Sequence, residues 1–215
     1  AVHSWSGDGS FVLDAAEGGS PAYIRDSVTS GLWHPTEPYL FAWSQALITD
    51  DGGYETVISM ADLTGVDGTP VEPLVEFSVP FSNHVLGAWG DWGYATQSGN
   101  AVFGFDPDGV ETRAGNGPIF DAAADGTLLV GTMDDEGVVP SLLGPDGSIT
   151  ELPSLDIGAS DFRITDDGQW VLAVTIQADG HTSILARSVH SRSTRLTSID
   201  ETAVIVDTVR EDRIL

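Results

Sequence analysis

The chain has 215 residues, 41% of them hydrophobic, with 25 glycines, no cysteine, and 8 basic residues against 33 acidic ones, a net charge of −25. That balance describes a globular, turn-rich chain whose acidity repels phosphate backbones and anionic headgroups, which argues against nucleic acid and lipid surfaces as partners. All eight bases are arginine, the lack of cysteine removes disulfides and thiol chemistry, and no apolar run approaches the roughly 18 residues of a membrane-spanning segment.

The elements read in chain order as short apolar strands joined by turns of Gly, Asp and Pro. The chain opens at Ala1 without a methionine, which reads as a mature or excised domain. Residues 1–25 carry AVHSW, FVLDAA, a Gly-Gly turn and AYIRD, the strands of a unit that lacks its first. A second unit runs over 29–77, with longer connections at 49–54 and 64–70. The third is compact, with strands expected at 84–89, 93–96, 101–105 and 110–113. The fourth follows at 119–123, 127–132, 140–143 and 149–152, with turns at 124–126, 134–137 and 144–147. The fifth places strands at 160–165, 170–176, 183–188 and 194–198. Residues 202–215 then begin a further unit that stops after its first strand.

Gly, Asp and Pro dominate the joints because they supply or preset the φ values that tight turns need. No stretch sustains a helical period, so the chain is expected to be all-β. A unit of this kind cannot bury its apolar faces alone, and repetition at about 40 residues implies stacked units. Written head to tail, the two chain ends give RILAVHSW, which matches QWVLAVTI in the fifth unit. Closure of one sheet by both ends explains the match and removes open edges. A cut from a longer repeat array would also explain it, and closure is the expectation adopted.

The segments HPTEPYLFAW (34–43) and ITDDGQWVLAV (164–174) resemble the turn motif of TolB-like and WD40-like β-propeller repeats. The Trp-Asp dipeptide of WD40 repeats closes the third strand of none of the units. The resemblance implies a single propeller domain of five blades, each of four antiparallel strands. The blades would span 1–27 with 201–215, 28–79, 80–115, 116–157 and 158–200.

In a propeller the first strand of each blade lines the channel. Aligned on their turns, these strands bring Arg163, Asp121, Ala88, Leu32 and Val206 to one level, with Arg163 and Asp121 on adjacent blades. Arg163 and Asp121 are therefore expected to form an ion pair that plugs the channel or, alternatively, to anchor a polar ligand, since arginine binds carboxylates bidentately. Trp33, His84 and Trp89 complete the candidate channel site. Tryptophans at such positions serve as packing between blades or as platforms for sugars.

The five histidines have no metal-ligand spacing, and no Asp-Gly turn fits the calcium loop with its closing Glu. Asp50, Asp51 and the run Asp134, Asp135 and Glu136 are the densest acidic turns and the candidates for a cation, calcium being the one cofactor left open. No nucleophile elbow, phosphate loop or dinucleotide fingerprint is present. The expectation is a non-catalytic binding or sensor domain of a bacterial extracytoplasmic protein, on its own or as the ectodomain of a membrane-anchored one. Its partner would be a protein, or a small-molecule or glycan ligand, with a basic partner or divalent cation favoured by the acidic surface. The alternative is a carbohydrate-active enzyme working through channel carboxylates such as Asp121 and Asp161.

Overall fold

A computed structural model of the chain describes residues 2–5, 11–14, 22–24, 28–37, 39–64, 71–80, 84–135, 137–153, 155–156, 160–176, 182–190, 194–199, 208–209 and 213–214. Its strands begin with β1 (Val2–Trp5), β2 (Phe11–Asp14) and β3 (Ala22–Ile24), which form a sheet in that order. Next come β4 (Val28–Trp33), β5 (Leu40–Ile48), β6 (Tyr54–Asp62) and β7 (Val75–Pro80), again a sheet in chain order. The same order holds for β8 (Val85–Gly90), β9 (Gly93–Ser98), β10 (Ala101–Phe105) and β11 (Glu111–Asn116). It holds also for β12 (Ile119–Ala122), β13 (Leu128–Asp134), β14 (Gly137–Leu143) and β15 (Ile149–Glu151), with β16 (Leu155–Asp156) added beside β14. The sheet of β17 (Ser160–Ile164), β18 (Trp170–Ile176), β19 (Thr182–Ser188) and β20 (Thr194–Ile199) follows, then the hairpin of β21 (Thr208–Val209) and β22 (Arg213–Ile214). Among the described residues all structure is strand and turn, as the turn spacing predicts. Residues 200–207, on which the expected closure by both chain ends rests, lie outside the described residues.

The Asp-Gly pairs build one turn many times. After β9 and β10, for example, the chain turns through Asp106–Val110: Gly109 N–H donates to Asp106 O at 3.0 Å and Asp106 N–H to Val110 O at 2.9 Å. Ala123–Thr127 and Gly144–Ser148 close with the same pair of bonds. The glycine stands at positive φ each time (Gly126 at 86°, Gly147 at 79°), where a side chain would be strained.

The carboxylate preceding that glycine is spent locally in several of these turns. Asp125, Asp146 and Asp167 accept the N–H groups of Thr127, Ser148 and Gln169 at 2.8, 3.0 and 2.9 Å. Bonds from Ser148, and from Thr165 and Gln169, hold the carboxyls of Asp146 and Asp167 below the ordinary aspartate range.

The chain falls into two compact units, residues 1–99 with 105–110, and residues 100–104 with 111–215. In the first, Ile24, Val28, Phe41, Trp43, Ala61 and Leu63 form a buried cluster, with Phe41 and Trp43 stacked at 6.2 Å. Phe77 packs against Tyr94 and Phe105 in the same unit, at 5.4 and 5.7 Å. In the second, Leu129, Leu142, Phe162, Ile164, Val171 and Ala173 are buried together, and Phe120 lies 4.6 Å from Phe162. Each aliphatic side chain so buried stabilises the fold by about 1.5–3 kcal/mol. The central strands β5 and β18 supply these clusters from continuous buried runs, 41–45 and 171–174, as strands covered on both faces do.

Candidate functional site

The leading strands β4, β8, β12 and β17 share an irregularity that the sequence pattern does not announce. Each slips register against its hairpin partner once: between Val28 and Ser30, Leu86 and Ala88, Ile119 and Asp121, and Ser160 and Arg163. In β8, β12 and β17 the slip falls directly before Ala88, Asp121 and Arg163, the residues that the turn alignment sets at one level. In β4 it falls two residues before Leu32, at Ser30. A bulge of this kind bends the strand and re-aims side chains. At β17 it is accompanied by Asp161 at φ 50°, the one residue other than glycine with positive φ among the described residues.

In the second unit these bulges create a polar cluster. Asp121 Oδ2 accepts the backbone N–H of Ile164 at 2.9 Å, so a side chain of β12 satisfies an edge group of β17. The turns following the two strands are joined as well, by Ala124 N–H donating to Asp166 O at 3.0 Å. Burial pushes the Asp121 carboxyl above its ordinary range. The N–H groups of Ile164 and Ala122 and the charge of Arg163 oppose that shift without reversing it. The Arg163 guanidinium pairs instead with Asp161, Nη2 to Oδ1 at 3.4 Å, with the two side chains 37% and 22% exposed. Asp121 and Arg163 thus stand on neighbouring strands, as the alignment expects, but each is engaged by a partner on β17 other than the one anticipated.

The first unit repeats the device with neutral groups. Ser30 Oγ on β4 accepts the N–H of Leu86 on β8 at 2.7 Å and lies 2.6 Å from Ser44 Oγ. Thr29 Oγ1 lies 2.8 Å from the same Ser44 oxygen. His84, 2% exposed, sets Nδ1 2.9 Å from Thr96 Oγ1, and its N–H donates to Thr56 Oγ1 at 3.3 Å. Trp89 is 5% exposed, stacked on Tyr94 at 5.9 Å, with the His34 ring against it edge-on at 4.7 Å. Trp33 is partly buried and meets Phe41 edge-on at 5.0 Å. His84 and Trp89 are therefore interior groups, while Trp33 keeps part of its surface exposed.

Sequence reading passes over His34, the residue that shapes the turn between β4 and β5. Its Nδ1 accepts the N–H groups of Thr36 and Glu37 at 3.3 and 3.0 Å, which leaves the ring proton on Nε2, 3.4 Å from Asp91 Oδ1. The available signal was the HPTEP segment itself, since a side-chain acceptor two and three residues before free N–H groups is a turn-capping arrangement.

Of the cation candidates, Asp51 accepts the Thr49 hydroxyl and, at 3.1 Å, Gly53 N–H, and these two bonds hold its carboxyl below the usual range. Asp135 is exposed, whereas Glu136 and the side chain of Asp134 lie outside the described residues. Among the described residues no three His, Asp or Glu side chains converge as metal ligands, and no helix is long and apolar enough to cross a membrane.

No known family profile matches the chain, and no curated protein matches its sequence. Among solved structures it is similar to the putative TolB from Agrobacterium tumefaciens, with a TM-score of 0.54 and 14% identity over 90% of this chain and 78% of that one. TolB from Acinetobacter baumannii gives a TM-score of 0.48 at 14% identity, over 90% of this chain and 50% of that one, so this chain spans about half its length. Sqt1 from Chaetomium thermophilum gives 0.39 at 16% identity, over 81% of this chain and 47% of that one. At these identities the likeness speaks to architecture alone. The chain has the all-β architecture of a TolB-like β-propeller, the fold that its HPTEPYLFAW and ITDDGQWVLAV segments resemble.

Proposed function

We propose that the chain is a non-catalytic binding domain of a bacterial extracytoplasmic protein, a five-bladed propeller closed by both chain ends, and that its ligand is a protein. The observation that carries this reading is the use made of the leading-strand side chains. Asp121 and Ser30 are committed to backbone N–H groups of the next leading strand, and Arg163 to Asp161. Groups employed as struts in this way give the sheets their alignment and leave recognition to the turns and hairpin ends. The acidic surface favours a basic partner, with attraction that weakens as salt shortens the Debye length from about 10 Å at 0.1 M to about 3 Å at 1 M.

One observation favours the alternative, a carbohydrate-active site. Asp121 has a carboxyl held above its normal range by burial, on a strand adjacent to one that carries Asp161 in a left-handed conformation. Glycoside hydrolysis works through a pair of carboxyl groups, the acid being the one whose surroundings keep its proton on. A glycosidase substrate panel together with a glycan array separates the two readings. No turnover and no glycan binding are expected; hydrolysis of any glycoside that Asp121→Asn abolishes would replace the binding reading with the enzymatic one.

A further inference from the structure

Among the described residues, β4 pairs with β5 as far as Gln45 and β7 with β6 as far as Glu55, whereas β5 and β6 remain paired to Ile48 and Tyr54. These two last residues face each other across the strands and are 73% and 60% exposed, although both are large and apolar. Apolar side chains scattered singly over a surface are ordinary, but an adjoining exposed pair at a hairpin end forms a continuous apolar spot.

The turn that carries the pair is closed by its own hydrogen bonds. Thr49 N–H donates to Gly53 O at 3.0 Å, Gly52 N–H to Thr49 O at 2.9 Å, and Asp51 ties Gly53 N–H and the Thr49 hydroxyl together. A contact presented on a hydrogen-bonded turn loses less conformational freedom on binding than one on an open loop.

We propose that the end of this hairpin, Ile48 and Tyr54 with the carboxylate of Asp50 in the turn between them, docks a protein that presents an apolar socket flanked by lysine or arginine. The charge around it selects the occupant. No lysine or arginine stands anywhere between Arg25 and Arg113, while the turn that joins the apolar pair carries the exposed Asp50. A second copy of this chain, at net −25, is repelled, as is any nucleic acid or anionic membrane. Tyrosine suits such a contact, with a broad apolar ring and a hydroxyl that remains hydrated at the rim.

The inference rests on the protein-binding reading and names its surface. The test is to pan a random phage-displayed peptide library on the whole chain and measure the selected peptides against variants. Peptides rich in arginine or lysine around an aromatic or aliphatic residue are expected. The Ile48→Ser/Tyr54→Ser double variant is expected to bind them at least about tenfold more weakly, as loss of a buried anchor does. Asp50→Asn is expected to weaken them at low salt and to have little effect at 1 M salt, where exposed charges are screened. Peptides that bind the double variant as tightly as the parent would overturn the assignment of this hairpin and leave the protein-binding reading standing. Failure to select any peptide would overturn both.

Discussion

Asp121 shows how one carboxylate can be required for its geometry and costly for its charge. Its folded carboxyl is raised, so its contribution to stability is fully present below the unfolded aspartate range, near pH 4, and is lost as pH rises through the folded value. At neutral pH the raised carboxyl therefore opposes folding, while its oxygen still serves the N–H of Ile164. Asp121→Asn keeps an acceptor and removes the charge. It is expected to melt at the same temperature as the parent or higher at pH 7, with the difference shrinking toward pH 4. Asp121→Ala leaves the Ile164 N–H without an acceptor and is expected to lose about 1–3 kcal/mol. In a chain of this size that is a fall of several degrees in thermal melts, at about 2–4 °C per kcal/mol. A lower melting temperature for the Asn variant at pH 7 would show that the charge itself is stabilising.

Among the elements, the turns offer a direct contrast between conformational strain and collision. Gly168 stands at φ 68° with open space around it, Ala123 Cβ being 3.9 Å from where its own Cβ would be. Gly168→Ala is expected to lose only the left-handed penalty of about 1–2 kcal/mol. Gly117, at φ 105°, would drive a Cβ into the carbonyl oxygen of Gly131, so Gly117→Ala is expected to lose clearly more, read by urea unfolding midpoints at unchanged slope. The turn carboxylates that lie below their ordinary range, such as Asp146 and Asp167, have the opposite sign to Asp121. Their contribution is present above the unfolded aspartate range and disappears as pH falls through the lowered folded values. A protein losing stability from these groups is expected to melt progressively lower as pH falls below about 4.

Strands and turns of this kind were legible in sequence because their causes are local. The strand expected at 170–176 is observed as Trp170–Ile176, and 101–105 as Ala101–Phe105, each bounded by the residues that make its turns. The bulges were not legible, since two residues opposing one is a property of a pair of strands. The partners of Asp121 and Arg163 were hidden for the same reason. Aligning turns places both residues at one level, but the slip before Arg163 and the positive φ of Asp161 decide what each side chain meets. His34 was passed over because its partners are main-chain N–H groups, and every residue type but proline supplies those.

At the scale of the whole molecule the dominant quantity is the net charge of −25. Self-repulsion of that size works against any compact state. Sodium chloride raised from about 0.01 M to 1 M shortens the Debye length from about 30 Å to 3 Å, and the melting temperature is expected to rise with it. Calcium and magnesium at equal ionic strength are expected to give equal melting temperatures; a rise specific to calcium would assign the acidic run Asp134, Asp135 and Glu136 to a bound ion.

The struts between leading strands also impose a direction in time. In both of them the earlier strand supplies the side chain and the later one the N–H: Ser30 receives Leu86, and Asp121 receives Ile164. A ribosome delivers the chain in that same order, at about 5–20 residues per second. By the time β8 or β17 leaves the ribosome, the acceptor that fixes its exposed edge has already been made and can be waiting on a finished hairpin. Each of these two strands thus finds a ready template, and the interval during which its bare edge could capture a stranger is brief.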